Sequence, residues 1–156
     1  MTEPTITERV QAEMVRAMKE KDAATLSTVR MLKAALMEAK TARPKDASLS
    51  RDEEIEILQR YVKKRRETIE MNSKVGHPEL NASEEAEIAV TQRFLPALLS
   101  EEKLLEIVKA AVAKTGAAGP KDMGKVIGAV MAQVKGQAEG GTVSKLVKAA
   151  LGGSSA

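Results

Sequence analysis

Five lysines, Lys121, Lys125, Lys135, Lys145 and Lys148, stand in one stretch from Gly119 to Leu151, against only Asp122 and Glu139. Lysines beside glycine-broken helix ends can hold phosphate. The ammonium supplies charge and a helix start supplies backbone N–H donors. Lys121 and Lys125 are four apart, the spacing of one helix face. Gly124 and Gly136 would let the backbone itself come up to an anion. These residues are therefore the candidate phosphate-binding set, and Lys145 and Lys148 extend it onto the next segment. Gly124 and Gly128, also four apart, mark a neighbouring face that a second backbone can approach closely.

Other chemistries find no residues to carry them. The chain lacks cysteine, which excludes disulfides, thiolate zinc sites and thiol nucleophiles. His77 is the single histidine and lies in a Gly-His-Pro turn, so a multi-histidine metal site is excluded, and so are the Glu-x-x-His pairs of a di-iron bundle. No Gly-x-Ser-x-Gly elbow and no Gly-x-x-x-x-Gly-Lys-Ser/Thr loop is present. Carboxylate pairs such as Glu53/Glu56 and Glu84/Glu87 sit in charged helical segments and read as solvated surface. Gly152-Gly153-Ser154-Ser155 has nothing to hold its serines in a catalytic geometry. With one Tyr, one Phe and no Trp, there is no aromatic platform for base stacking. The expectation is no catalytic residue, no cofactor and no metal, and a surface that reads a backbone rather than bases.

These residues need elements to position them, and the composition points to helices. Of 156 residues, 43% are hydrophobic and 30% charged, with a core that must be built from Leu, Ile, Val, Ala and Met. No strand-like alternation occurs. No segment approaches the roughly 20 apolar residues of a membrane span, and no signal peptide is visible. Together with the missing cysteines this leads to an expected cytoplasmic setting. Charge is unevenly placed. Residues 1–106 hold 18 basic and 20 acidic residues, and residues 107–156 hold 7 and 2.

Seven helical segments follow from caps and periodicity. Thr5 with Glu8 forms a capping box for a first helix whose Ile6, Val10, Met14 and Met18 face inward. Asp22 caps a second, over Ala23 to about Ala42, burying Leu26, Val29, Leu32, Leu36 and Ala39. Pro44 places a turn at residues 43–46. Ser50 with Glu53 opens a long third helix to about Ser73, with Ile55, Leu58, Val62 and Ile69 inward and Arg65 in the same stripe. The run Lys63-Lys64-Arg65-Arg66 is not a nucleic-acid motif on this reading, because four consecutive helical residues point in four directions. Gly76-His77-Pro78 ends it. A fourth helix spans about Leu80 to Leu95 and stops at Pro96. Ser100 caps a fifth, with Leu104, Val108, Ala111 and Val112 buried and its end at Gly116. A sixth follows, with Met123, Ile127, Val130 and Val134 on one face. A last short helix buries Val143, Leu146, Val147, Ala150 and Leu151. The expected fold is all-α. A four-helix N-terminal subdomain covers 1–96, a three-helix basic tail covers 97–151, and a disordered end covers 152–156.

The segments KDMGKVIGAVM (121–131), VKG-x-A-x-G from Val134 and V-x-K-L-V-K from Val143 resemble the signature of the YqeY family. STVRMLKAAL (27–36), EEAEIAVTQRFLP (84–96) and LLSEE (98–102) are similar to the same family, so the resemblance runs over nearly the whole chain. That family shares its helical region with the tail of the B subunit of the tRNA-dependent amidotransferase (GatB), a bacterial translation enzyme and carbon–nitrogen ligase. The tail holds the outer corner of tRNA and does no chemistry. The resemblance implies a non-catalytic, tRNA-binding accessory in charged-tRNA synthesis. It implies tRNA as partner, with a tRNA synthetase or amidotransferase subunit as a second one. Lys121, Lys125, Lys135, Gly124, Gly136, Lys145 and Lys148 are then the RNA-binding residues. The chain departs from the family pattern at Gln137, where a basic residue is common, and at Ser144, where Asn is common. A protein–protein adaptor without RNA binding is the alternative.

Overall fold

The computed structural model describes residues 2–152. Every regular element among them is helical: α1 Ile6–Lys19, α2 Ala23–Thr41, α3 Arg51–Lys74, α4 Asn81–Gln92, α5 Glu101–Thr115, α6 Met123–Val134 and α7 Gly140–Ala150, with short 3₁₀ turns at Pro78–Leu80 and Pro120–Asp122. Two compact units result, Met1–Pro96 and Ala97–Ala156. The expected disordered end falls, from residue 153 on, outside the described residues. Gly152 lies within them in a left-handed turn, φ 74°.

Local chemistry sets the helix boundaries. Thr5 and Ser50 each close a capping box, with Glu8 and Glu53 reaching back to the cap amide at 2.8 Å. Asp22 and Ser100 cap α2 and α5 through Thr25 N–H at 3.2 Å and Lys103 N–H at 3.1 Å. The α1–α2 turn is a Schellman closure. Asp22 N–H donates to Ala17 C=O at 2.9 Å and Lys21 N–H to Met18 C=O at 3.3 Å, with Lys21 left-handed at φ 57°. So short a turn lays α1 and α2 side by side.

The first unit packs α1 on α2, α3 on α4, and α2 against both α3 and α4. Its core holds Ile6, Val10, Val29, Leu32, Leu36, Leu58, Val62 and Ile88, with Phe94 and Leu95 closing one end. In the second unit α5, α6 and α7 each touch the other two, around Leu104, Val108, Val126, Val130, Val134, Val143 and Val147.

Several sequence expectations shift. Met18 is 53% exposed, and Ala17 takes its place in the core. Steps of four residues drift by about 40° each on a helix, so the third step from Ile6 lands about 120° away, whereas Ala17 returns to within about 20°. Met14 is only half-buried. On α6, Val126 is fully buried while Met123 and Ile127 are half-buried. That helix is wedged between two neighbours, which widens its buried sector beyond one stripe. On α7, Ala150 is exposed and Leu146 and Leu151 are half-buried, leaving Val143 and Val147 as the core. The fourth helix is shorter than expected. Arg93, Phe94 and Leu95 follow it in tight turns, their amides bonded three residues back.

Candidate nucleic-acid interface

Each candidate lysine is solvent-exposed. Lys121 lies in the 3₁₀ turn ahead of α6 rather than on the helix itself, because Gly119 and Pro120 start a separate turn that Asp122 closes. The Asp122 carboxylate accepts from Ala118 N–H at 3.0 Å, which ties this loop down. Lys125 is on the first turns of α6. Its Nζ donates to the Thr115 carbonyl at 3.4 Å, so it also covers a free carbonyl at the C-terminus of α5. Gly124 and Gly128 are exposed. A Cβ built at either meets no atom of another element within 4 Å among the described residues, so the close approach those glycines permit is not used among them.

At the far end of α6, Lys135 caps the helix in a left-handed conformation, φ 38°, and Gly136 continues it at φ 88° but is buried, so its backbone is turned into the corner and not offered to an anion as expected. Gln137 fastens the corner: its N–H donates to Val134 C=O at 2.9 Å, and its own carbonyl accepts from Leu99 N–H at 2.8 Å. Gln137 thus works through its backbone, which the sequence comparison of side chains could not reveal. Lys145 and Lys148 sit three apart on α7, a shared face. The structure therefore groups Lys121, Gly124 and Lys125 at one end of α6. Lys135 and Gly136 lie at the other end, about 18 Å away for twelve residues.

Electrostatics separate this unit from the first. Met1–Pro96 carries 17 basic and 17 acidic residues; Ala97–Ala156 carries eight lysines, no arginine and five acidic residues. In the first unit several arginines are paired with carboxylates. Arg16 bonds Glu13, Glu20 and Asp22, and Arg43 bonds Glu53. Arg65 lies 3.2 Å from Glu84 and 3.6 Å from Glu87, over the ring of Tyr61 at 4.7 Å. These partners move the titrations. Hydrogen bonding to Arg16 holds Glu13 below the ordinary glutamate value, Thr25 does the same for Asp22, and the Ser50 amide for Glu53. Burial first, then its hydrogen bond to Glu87, pushes Tyr61 up. In the second unit Lys109, Lys114, Lys121, Lys145 and Lys148 have no carboxylate partner among the described residues.

Sequence reasoning placed Arg65 in the inward stripe and discounted the basic run around it. The structure turns Arg65 onto α4 and leaves Lys63, Lys64 and Arg66 exposed. Glu54, in the first turn of α3, is 2% exposed and accepts from Thr7 N–H at 2.7 Å and Thr7 Oγ1–H at 2.6 Å. No metal-binding group of three or more His, Cys, Asp or Glu occurs among the described residues. No helix among them is long and apolar enough to cross a membrane.

The fold and site define an all-helical protein with two compact units and a lysine-bearing C-terminal surface. The family described as Yqey-like protein matches residues 7–151, and the chain belongs to the YqeY family. It is 29% identical over 150 residues to the protein "Altered inheritance of mitochondria protein 41, mitochondrial" of Pyrenophora tritici-repentis (strain Pt-1C-BFP). The match covers 92% of this chain and 80% of that one.

Proposed function

We propose that this protein is a tRNA-binding accessory of the GatB/YqeY type, tied to charged-tRNA synthesis or to an amidotransferase, and that it works in the cytoplasm without catalysis of its own. The observation that supports this reading is the set of exposed lysines on the second unit, of which Lys121, Lys145 and Lys148 have no carboxylate partner among the described residues. Exposed lysines at both ends of α6, about 18 Å apart, suit an extended phosphate backbone and not a small ligand. In this reading the four-helix and three-helix units serve as separate subdomains. The second contacts RNA through Lys121, Lys125, Lys135, Lys145 and Lys148 and the exposed backbone at Gly124.

The test is a salt titration of tRNA binding with Lys121, Lys125 and Lys135 all replaced by Gln. Affinity should fall while the helical circular-dichroism signal stays. The slope of log affinity against log salt should flatten by about 0.7–0.9 per lost phosphate contact. Unchanged binding across the titration would reduce the lysines to a solvated face. The second reading, a protein–protein adaptor for a synthetase or amidotransferase subunit, rests on the open Gly124/Gly128 face. Docking there would be nearly insensitive to salt.

A further inference from the structure

A groove of about 440 Å³ opens on the first unit, between α1 and the turn that follows α4. Arg9, Ala12, Glu13, Arg16, Arg93 and Phe94 line it. Three cations face one anion on this wall, in a unit that holds 17 of each sign overall. The three guanidinium groups are engaged very differently. Arg16 is saturated, with Glu13, Glu20 and Asp22 around it. Arg93 has a 54% exposed side chain and meets one carboxylate, Glu13, at 3.5 Å. Arg9 has no carboxylate partner among the described residues.

Arg9 is nonetheless held in place. Its Nη2 donates to the Arg93 carbonyl at 2.8 Å and its Nη1 to the Phe94 carbonyl at 3.5 Å. Its guanidinium carbon lies 5.6 Å from the centre of the Phe94 ring. Covering those carbonyls explains the position of the side chain but engages two of the five N–H donors a guanidinium carries. The whole positive charge remains on the groove wall, half-buried, rigid and without a counter-ion. Arg93 beside it is free to swing, since an exposed ion contact at 3.5 Å is worth little. When it swings, Glu13 keeps Arg16 as its partner.

We propose that this groove binds the oxyanion head, phosphate or carboxylate, of a small organic ligand, with Arg9 and Arg93 donating to the head and exposed Ala12, with the edge of the largely buried Phe94 beside it, receiving the apolar remainder. Planar guanidinium forks match the paired oxygens of such a head. The volume falls within the range of small-ligand sites, roughly 300–1,000 Å³. The site lies in Met1–Pro96 and stands whether or not the lysines of the other unit bind RNA.

The experiment is an NMR titration of the full chain with phenyl phosphate and, separately, benzoate and inorganic phosphate. Phenyl phosphate should shift the Phe94 ring and Arg9 Nε–H resonances and saturate in the millimolar range. Benzoate should shift the same resonances if the head alone matters, and inorganic phosphate should bind more weakly than either. Arg93→Gln should weaken phenyl phosphate by about tenfold, the loss of one charge-assisted hydrogen bond, with the thermal midpoint unchanged. Arg9→Lys, which keeps the charge and loses the fork, should weaken it as well. Shifts that do not saturate, or equal affinity in the parent and Arg93→Gln, would overturn the proposal and leave the arginines as a clamp on the end of α4.

Discussion

In Met1–Pro96, Arg16 reaches three carboxylates, Arg65 two and Arg43 one; in Ala97–Ala156, Lys121, Lys145 and Lys148 reach none among the described residues. The split also runs by residue type, since no arginine stands after Arg93. Arginine carries a planar fork that bridges two elements, while lysine presents a hydrated point charge on a flexible stem. The first unit uses Arg65 to join α3 to α4 and Arg16 to brace the α1–α2 turn. The second takes its cohesion from Leu104 and six valines instead and leaves Lys121, Lys145 and Lys148 outward. A charge with an internal partner is part of the fold; one without is open to an external anion.

The largest effect that tests this comparison is on the cores. Leu36→Ala and Leu104→Ala, at 1% and 2% exposure, should each cost about 2–5 kcal/mol. Hydrogen exchange should show the loss confined to the unit that holds the substitution. Loss of protection in both units from either substitution would mean that they fold as one. Acid comes next. Glu13, Asp22 and Glu53 have folded values held below the ordinary 4.5, 3.8 and 4.5. Their contribution is complete above the ordinary values and is lost as pH falls through the depressed ones. Amide protection at the start of α2 and α3 should therefore weaken on acidification below those values. Protection that stays flat there would show that the pairs are idle.

A smaller effect is expected at Arg65. Arg65→Gln should cost about 1–2 kcal/mol by urea denaturation. This is less than a fully buried pair, because its side chain and those of Glu84 and Glu87 keep a fifth to a quarter of their exposure. The smallest is at Lys148, where Gln should change stability by less than about 0.5 kcal/mol. Equal costs at Arg65 and Lys148 would erase the distinction between the two units.

Much of the fold was legible because its signals are local. Thr5 with Glu8, Ser50 with Glu53, Asp22 and Ser100 are caps whose partners lie three residues away. Gly116, left-handed at φ 69°, closes α5 where a glycine was expected to end it. What was not legible depends on residues far apart in the chain. Glu54 lies 47 positions from Thr7, and Arg9 lies 84 from the Arg93 carbonyl. Neither pairing has a periodic or spacing signature. Lys125 shows the same limit at the candidate site: its charge was plain from the sequence, but its bond to Thr115 depends on how α5 and α6 pack. The inward place of Arg65 was readable from helical phase; the carboxylates it meets on α4 were not.

The Glu54–Thr7 contact also orders the assembly of the first unit in time. During synthesis the α1–α2 hairpin can close as soon as residue 41 or so has emerged, since its turn and its contacts are contained within it. The first turn of α1 must wait longer. Its Thr7 amide and hydroxyl find their carboxylate only when α3 begins, 47 residues later. Ribosomes add about 5–20 residues per second, so once residue 41 is out that first turn waits roughly another 1–3 s for Glu54. α3 then both completes the core and latches the start of the chain.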